Sequence, residues 1–144
     1  MGTAGRAFPR TYCQSLQAVA FFSVSVTIQR SERLPWTVLS VGGELDVVGA
    51  PDLRQAVVKE VADGARGLLI DLSELDFVDS FGMGAIVGAL KRLRQRGGEL
   101  ALVCPSRRIR RVFELCDLDR IIAFHDSIDS AAGSEPAPSA PVTP

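Results

Sequence analysis

Ser80 stands in the run Phe77-Val78-Asp79-Ser80-Phe81-Gly82-Met83-Gly84, where an apolar stretch gives way to a helical pattern. A hydroxyl at such a turn can attack a carbonyl, cap the free N–H groups of the helix or accept a phosphoryl group. Hydrolase chemistry meets an obstacle at once, because position 78 is Val where the sharp nucleophile elbow of an α/β-hydrolase needs glycine. His125, the sole histidine, follows the last strand pattern and reads as an end-of-strand residue rather than a base. Asp71, Glu74, Asp76 and Asp79 lie close together, but without a neighbouring histidine or the glycine and distal glutamate of a calcium loop. They read as a solvated acidic loop ahead of a helix N-terminus, where the macrodipole favours negative charge. No phosphate-cradling G-x-x-x-x-G-K-[ST] loop is present, and Gly82-Met83-Gly84 lacks the third glycine of a dinucleotide fingerprint. Cys13, Cys104 and Cys116 are odd in number and too far apart for close zinc-binding pairs, so they read as buried or idle thiols in a reducing cytoplasm.

The elements that must position these residues follow from periodicity. Two β-rich runs at 22–29 and 36–41, separated by polar residues and a proline, form an antiparallel pair. Pro51 suits a first helical turn, Leu53, Val57 and Val61 recur at four-residue spacing, and Asp63-Gly64 ends that helix. A short apolar strand at 67–70 leads through a polar turn to the loop that carries Ser80. From Gly82, the residues Met83, Ile86, Val87, Leu90 and Leu93 mark a helix that ends in a basic turn and Gly97-Gly98. A strand at 100–103, a helix from Pro105-Ser106 with Ile109, Val112, Phe113 and Cys116 inward, and a strand at 121–124 complete the order. Strands separated by helices imply a largely parallel sheet in an α/β fold.

The 144 residues, 47% apolar and 23% charged, are enough for one domain with its own core and need no disulfide or metal staple. Residues 1–19 show no clear period and read as a flexible extension. The stretch 131–144, with four of the eight prolines, reads as a disordered tail, leaving a folded unit at 20–130. The apolar stretch near the N-terminus is too short to span a bilayer and runs on into a strand pattern instead of a cleavage site, which implies a cytoplasmic protein. The net charge of −1 argues against a global nucleic-acid binder. Charge is nevertheless uneven: residues 91–111 carry basic side chains at 91, 92, 94, 96, 107, 108, 110 and 111 against Glu99 alone. Without interleaved aromatics, that segment reads as a solvated or protein-binding face.

Gly43-Glu44-Leu45-Asp46, then Ala50-Pro51, then Asp79-Ser80-Phe81-Gly82 and a helix ending in Gly97-Gly98 occur in that order. Over residues 22–130 the chain thereby resembles the anti-sigma factor antagonists of the STAS domain family. The resemblance implies a single α/β domain with a mixed, mostly parallel sheet of about five strands and about four helices. It implies that Ser80 is phosphorylated by the partner, an anti-sigma factor that is a serine kinase, and that Asp46, Asp79, Ser80, Phe81, Gly82 and Met83 lie at the docking surface. The unphosphorylated form would bind the kinase and free a sigma factor, and the phosphorylated form would let go. On this reading the chain is not an enzyme and has no cofactor, since ATP and magnesium belong to the kinase. A phosphatase would reset it, it would contact neither nucleic acid nor membrane, and it would be a monomer when free. The family usually has Ser or Thr after the acceptor where this chain has Phe81, which bears on which kinase recognises it. The alternative is a STAS module for interaction or ligand sensing in a larger signalling complex, without a phosphorylation cycle.

Overall fold

The computed structural model describes residues 20–22 and 26–133. The expected extension at 1–19 with Cys13, residues 23–25 of the expected first strand, and the tail from 134 onward lie outside the described residues. Six strands form one sheet in sequential order: β1 (Ala20–Phe22), β2 (Val26–Arg33), β3 (Trp36–Leu45), β4 (Gly67–Val78), β5 (Glu99–Val103) and β6 (Ala123–His125). The first two pairings are antiparallel and the next three parallel, so the sheet is mixed as expected, with the three-residue β1 added at its edge. Helices α1 (Ala50–Ala62), α2 (Ser80–Gln95) and α3 (Arg107–Leu115) connect the parallel strands, and a short α4 (Ile128–Ala132) follows β6.

Alternation along the strands divides the core in two. Ile28, Leu39, Val41, Leu68, Ile70, Leu100 and Leu102 point to one face, where Leu53 and Val57 of α1, Ile86, Leu90 and Leu93 of α2, and Ile109 and Phe113 of α3 cover them. Trp36, Val38, Leu69, Ala101 and Val103 point to the other face and meet Ala131 of α4. The residues on 67–70 are buried on both faces, which explains why that strand shows as a continuous apolar run.

The structure corrects several boundaries. Residues 71–76 are not a turn but the middle of β4, a 12-residue strand paired with a β3 that extends to Leu45. Register shifts between Ser40 and Gly42 and between Gly43 and Glu44 each leave one extra residue on β4. Leu72, Leu75 and Val78 therefore turn inward at every third position, a period that belongs to neither regular strand nor helix. Gly43 sits at the second shift with φ of 88°, a conformation open to glycine. Near the end of the domain, 118–120 form a 3-10 turn, so β6 begins at Ala123 rather than 121. Cys116 caps the end of α3 and is exposed, not inward. The folded unit also passes the expected limit at 130, because Ala131 is 0% exposed.

Candidate functional site

β3 and β4 run side by side, and Leu45 is the register partner of Val78, so the residues following the two strands emerge as neighbours. The Asp79 N–H donates to the Leu45 carbonyl at 3.3 Å and ties the two strand ends together. Asp46 then organises the entry into α1: its Oδ1 accepts from the N–H groups of Val48 and Gly49, each at 3.0 Å, and its carbonyl accepts from Ala50 at 2.8 Å. Asp79 does the same for α2, its Oδ1 accepting from the N–H groups of Phe81 at 2.9 Å and Gly82 at 3.1 Å. Both carboxylates thus satisfy backbone donors that a helix start leaves open.

This arrangement takes the helix-capping role, one of those open to the Ser80 hydroxyl, away from it. Asp79, with φ of −116° and ψ of −170°, is the N-cap, and Ser80 is the first helical residue. A carboxylate one position earlier reaches the same N–H groups with a full negative charge at the positive end of the helix, so the hydroxyl is not needed. The Ser80 side chain is exposed and makes no hydrogen bond to any described residue. By contrast, the Ser106 hydroxyl accepts from Ile109 N–H at 3.3 Å, that of Ser127 accepts from Ser130 N–H at 3.0 Å, and that of Ser73 donates to Asp71.

Of the remaining residues expected at the docking surface, Phe81 lies open, at 52% exposed. Gly82 and Met83 do not present side chains there. Met83 is 7% exposed and packs into the main core, because it lies on the face of α2 turned toward the sheet. Gly82 is a point of close approach: a Cβ there would lie 2.3 Å from the Leu45 carbonyl oxygen and 2.8 Å from Leu45 Cγ. The glycine of the Asp-Ser-x-Gly run therefore lets the helix start press against the end of β3.

Three residues at this end of the sheet were not legible as site candidates. Val47 and Val48, in the turn after Asp46, and Phe77, near the end of β4, are all exposed. With Phe81 they place four apolar side chains around the Ser80 turn. Two consecutive valines between an Asx turn and a helix start, where no strand partner exists to bury them, are the signal that could have revealed them. Glu44, Glu74 and Asp76 are exposed beside them. The basic residues of α2, Lys91, Arg92 and Arg94, lie toward its other end, about 16–21 Å along the axis from Ser80. Among the described residues no group of three or more His, Cys, Asp or Glu side chains is placed to hold a metal ion. No helix among them is long and apolar enough to cross a membrane.

Comparison with known proteins agrees with this geometry. The STAS domain family model matches residues 25–131. An anti-sigma-B factor antagonist of Staphylococcus aureus is 35% identical over 91 residues, spanning 63% of this chain and 84% of that protein. One from Listeria monocytogenes is 46% identical over 83 residues, 57% of this chain and 72% of that protein. The crystal structure of an anti-sigma factor antagonist from Mycobacterium paratuberculosis superposes with a TM-score of 0.66 at 32% identity, covering 76% of this chain and 92% of that one. With the matched region spanning every element from β2 to α4 and the Asp-Ser-x-Gly run at the start of α2, the chain belongs to the STAS-domain family of anti-sigma factor antagonists.

Proposed function

We propose that this protein is a non-enzymatic switch in the cytoplasm. Unphosphorylated, it docks on an anti-sigma factor that is a serine kinase and so frees a sigma factor; phosphorylated on Ser80, it releases the kinase. The observation that carries the proposal is the state of the Ser80 hydroxyl, exposed on the first turn of α2 with its capping role already filled by Asp79. A free hydroxyl can enter a kinase without unmaking any bond of the fold. The ATP and magnesium of the reaction are the kinase's own, and a phosphatase restores the binding form.

Physical chemistry supports an off-switch at this position. A phosphoryl group adds about −1.5 to −2 charges at neutral pH. The N-terminus of α2 tolerates that charge, so the domain stays folded. A docked partner does not tolerate it, because the charge would enter a contact surface made of Val47, Val48, Phe77 and Phe81 and already carrying Asp46 and Asp79. Apolar side chains around a small acidic patch fit a partner surface with an apolar centre and basic flanks.

Incubation with the cognate kinase and ATP, followed by mass mapping, tests the assignment. One phosphate is expected, on Ser80 and not on Ser73, Ser106 or Ser127, whose hydroxyls are engaged in hydrogen bonds. Undiminished incorporation in Ser80→Ala would refute it.

A further inference from the structure

A second feature lies away from Ser80, over the end of β5. A cleft of about 500 Å³ is lined by Cys104, Pro105, Arg107, Arg108, Arg110, Arg111, Glu114 and Asp126. Its wall is a stripe of α3: Arg107, Arg110, Arg111 and Glu114 recur at three- and four-residue spacing, on the side of the helix away from the inward Ile109 and Phe113. Four guanidinium groups face two carboxylates, so the lining carries net positive charge in a chain whose net charge is −1.

The charges are poorly matched to one another. Arg107, Arg108 and Arg111 make no ion pair with any described residue. Arg110 stands 3.6 Å from Glu114 and 3.8 Å from Asp126, beyond hydrogen-bond reach of both, and its Nε is buried without an acceptor among the described residues. What holds Arg110 in place is the Phe124 ring, 5.1 Å from its guanidinium carbon to the ring centroid, with Phe113 packed edge-on behind. A guanidinium held by stacking, its side chain 37% exposed and three further arginines around it, can receive an acceptor from outside at its terminal nitrogens, not at the buried Nε. The first turn of α3 adds its free backbone N–H groups to the same end of the cleft.

We infer that this cleft binds a small phosphorylated ligand, its phosphate held by Arg107, Arg110 and Arg111. Planar, multidentate donors around a small pocket match tetrahedral oxyanions better than they match a neutral molecule. The site is separate from Ser80, and its occupation does not depend on the phosphorylation switch.

Calorimetric titration of the full chain with inorganic pyrophosphate at about 150 mM salt, with amide NMR to locate the site, decides the matter. One equivalent should bind saturably and shift the amides of Arg107 and Arg108. The pair Arg107→Gln and Arg111→Gln removes two exposed side chains, and should weaken binding at least tenfold with the melting temperature kept. Arg110→Lys, which keeps the charge but not the planar fork, should weaken it several-fold. Arg96→Gln, at the other end of α2, and Ser80→Ala should both leave the affinity within twofold. Binding that fails to saturate, or that falls as much in Arg96→Gln as in the cleft pair, would overturn the inference by reducing it to bulk charge.

Discussion

At the scale of single residues, two neighbours in one motif divide the work. Asp79 holds α2 and Ser80 is left free, so the two substitutions should separate stability from switching. Asp79→Ala should cost about 1 kcal/mol in urea unfolding, the usual loss of an N-cap, whereas Ser80→Ala should change stability by less than about 0.5 kcal/mol. The reverse order would mean that the serine hydroxyl is the cap. Cys104 supplies a second test at this scale. Burial, the largest influence, pushes its thiol above the ordinary value, with the Arg110 charge and the Ser106 backbone offsetting part of the rise. An acid whose folded pKa is raised stabilises the fold while it is protonated, below the unfolded value of about 8.5, and loses that contribution as pH climbs through the folded value. Unfolding free energy should therefore fall as pH rises above the unfolded value, and fall less steeply in Cys104→Ala.

Among the elements, the contact between the start of α2 and the end of β3 decides whether the site forms. Gly82→Ala should destabilise by about 2–3 kcal/mol, since the added Cβ collides with the Leu45 carbonyl and neither backbone has room to retreat. Gly84→Ala and Gly88→Ala, which meet nothing within 4 Å, should be neutral or stabilising by up to about 1 kcal/mol on helix propensity alone. α1 is anchored differently. Glu60 is 3% exposed and accepts from Arg30 Nε on β2 at 2.9 Å. Burial opposes the charge on Arg30, but hydrogen bonds to Glu32 and Glu60 outweigh it and hold its pKa above the usual guanidinium value. Glu60→Leu alone leaves that guanidinium with only the more exposed Glu32 as partner and should cost about 2 kcal/mol, while Arg30→Met with Glu60→Leu should recover most of the loss. These contacts also show what the sequence could carry. The helices were legible because Leu53, Val57 and Val61, or Ile86, Leu90 and Leu93, keep one period and meet clear stop signals. β4 was not, because two bulges give Leu72, Leu75 and Val78 a spacing of three that no regular element has. Asp46 and Ser80 could be picked out by motif, and the burial of Met83 was legible in the helical stripe it opens, but the exposure of Val47, Val48 and Phe77 depends on which strand ends lie side by side.

The whole molecule is asymmetric in packing and in charge. One face of the sheet carries three helices; on the other, among the described elements, α4 meets the Trp36 and Val38 cluster, helped by an exposed ion pair from Arg33 to Asp129. Truncation after Ser127 should lower stability by about 2 kcal/mol through exposure of this cluster, whereas truncation after Gly133 should leave the melting temperature unchanged. Charge is divided along the molecule, with acids and exposed apolar side chains around Ser80 and arginines on α3 and at the far end of α2. A partner docking on the Ser80 end would therefore feel a new negative charge fully, with no nearby arginine among those of α2 to absorb it. The most direct measurement is the affinity of four proteins for the ADP-loaded kinase: wild type, Ser80→Ala, Phe81→Ser and the Ser80 phosphoprotein. Wild type and Ser80→Ala should bind alike, and Phe81→Ser, which trims the apolar contact without adding charge, should not mimic the phosphoprotein. The phosphoprotein should lose about 2–4 kcal/mol, roughly 30- to 1,000-fold, with part of that loss persisting at high salt because a buried contact is weakly screened. Equal affinity for Ser80→Ala and the phosphoprotein would contradict the switch and leave the chain an interaction module without a phosphorylation cycle.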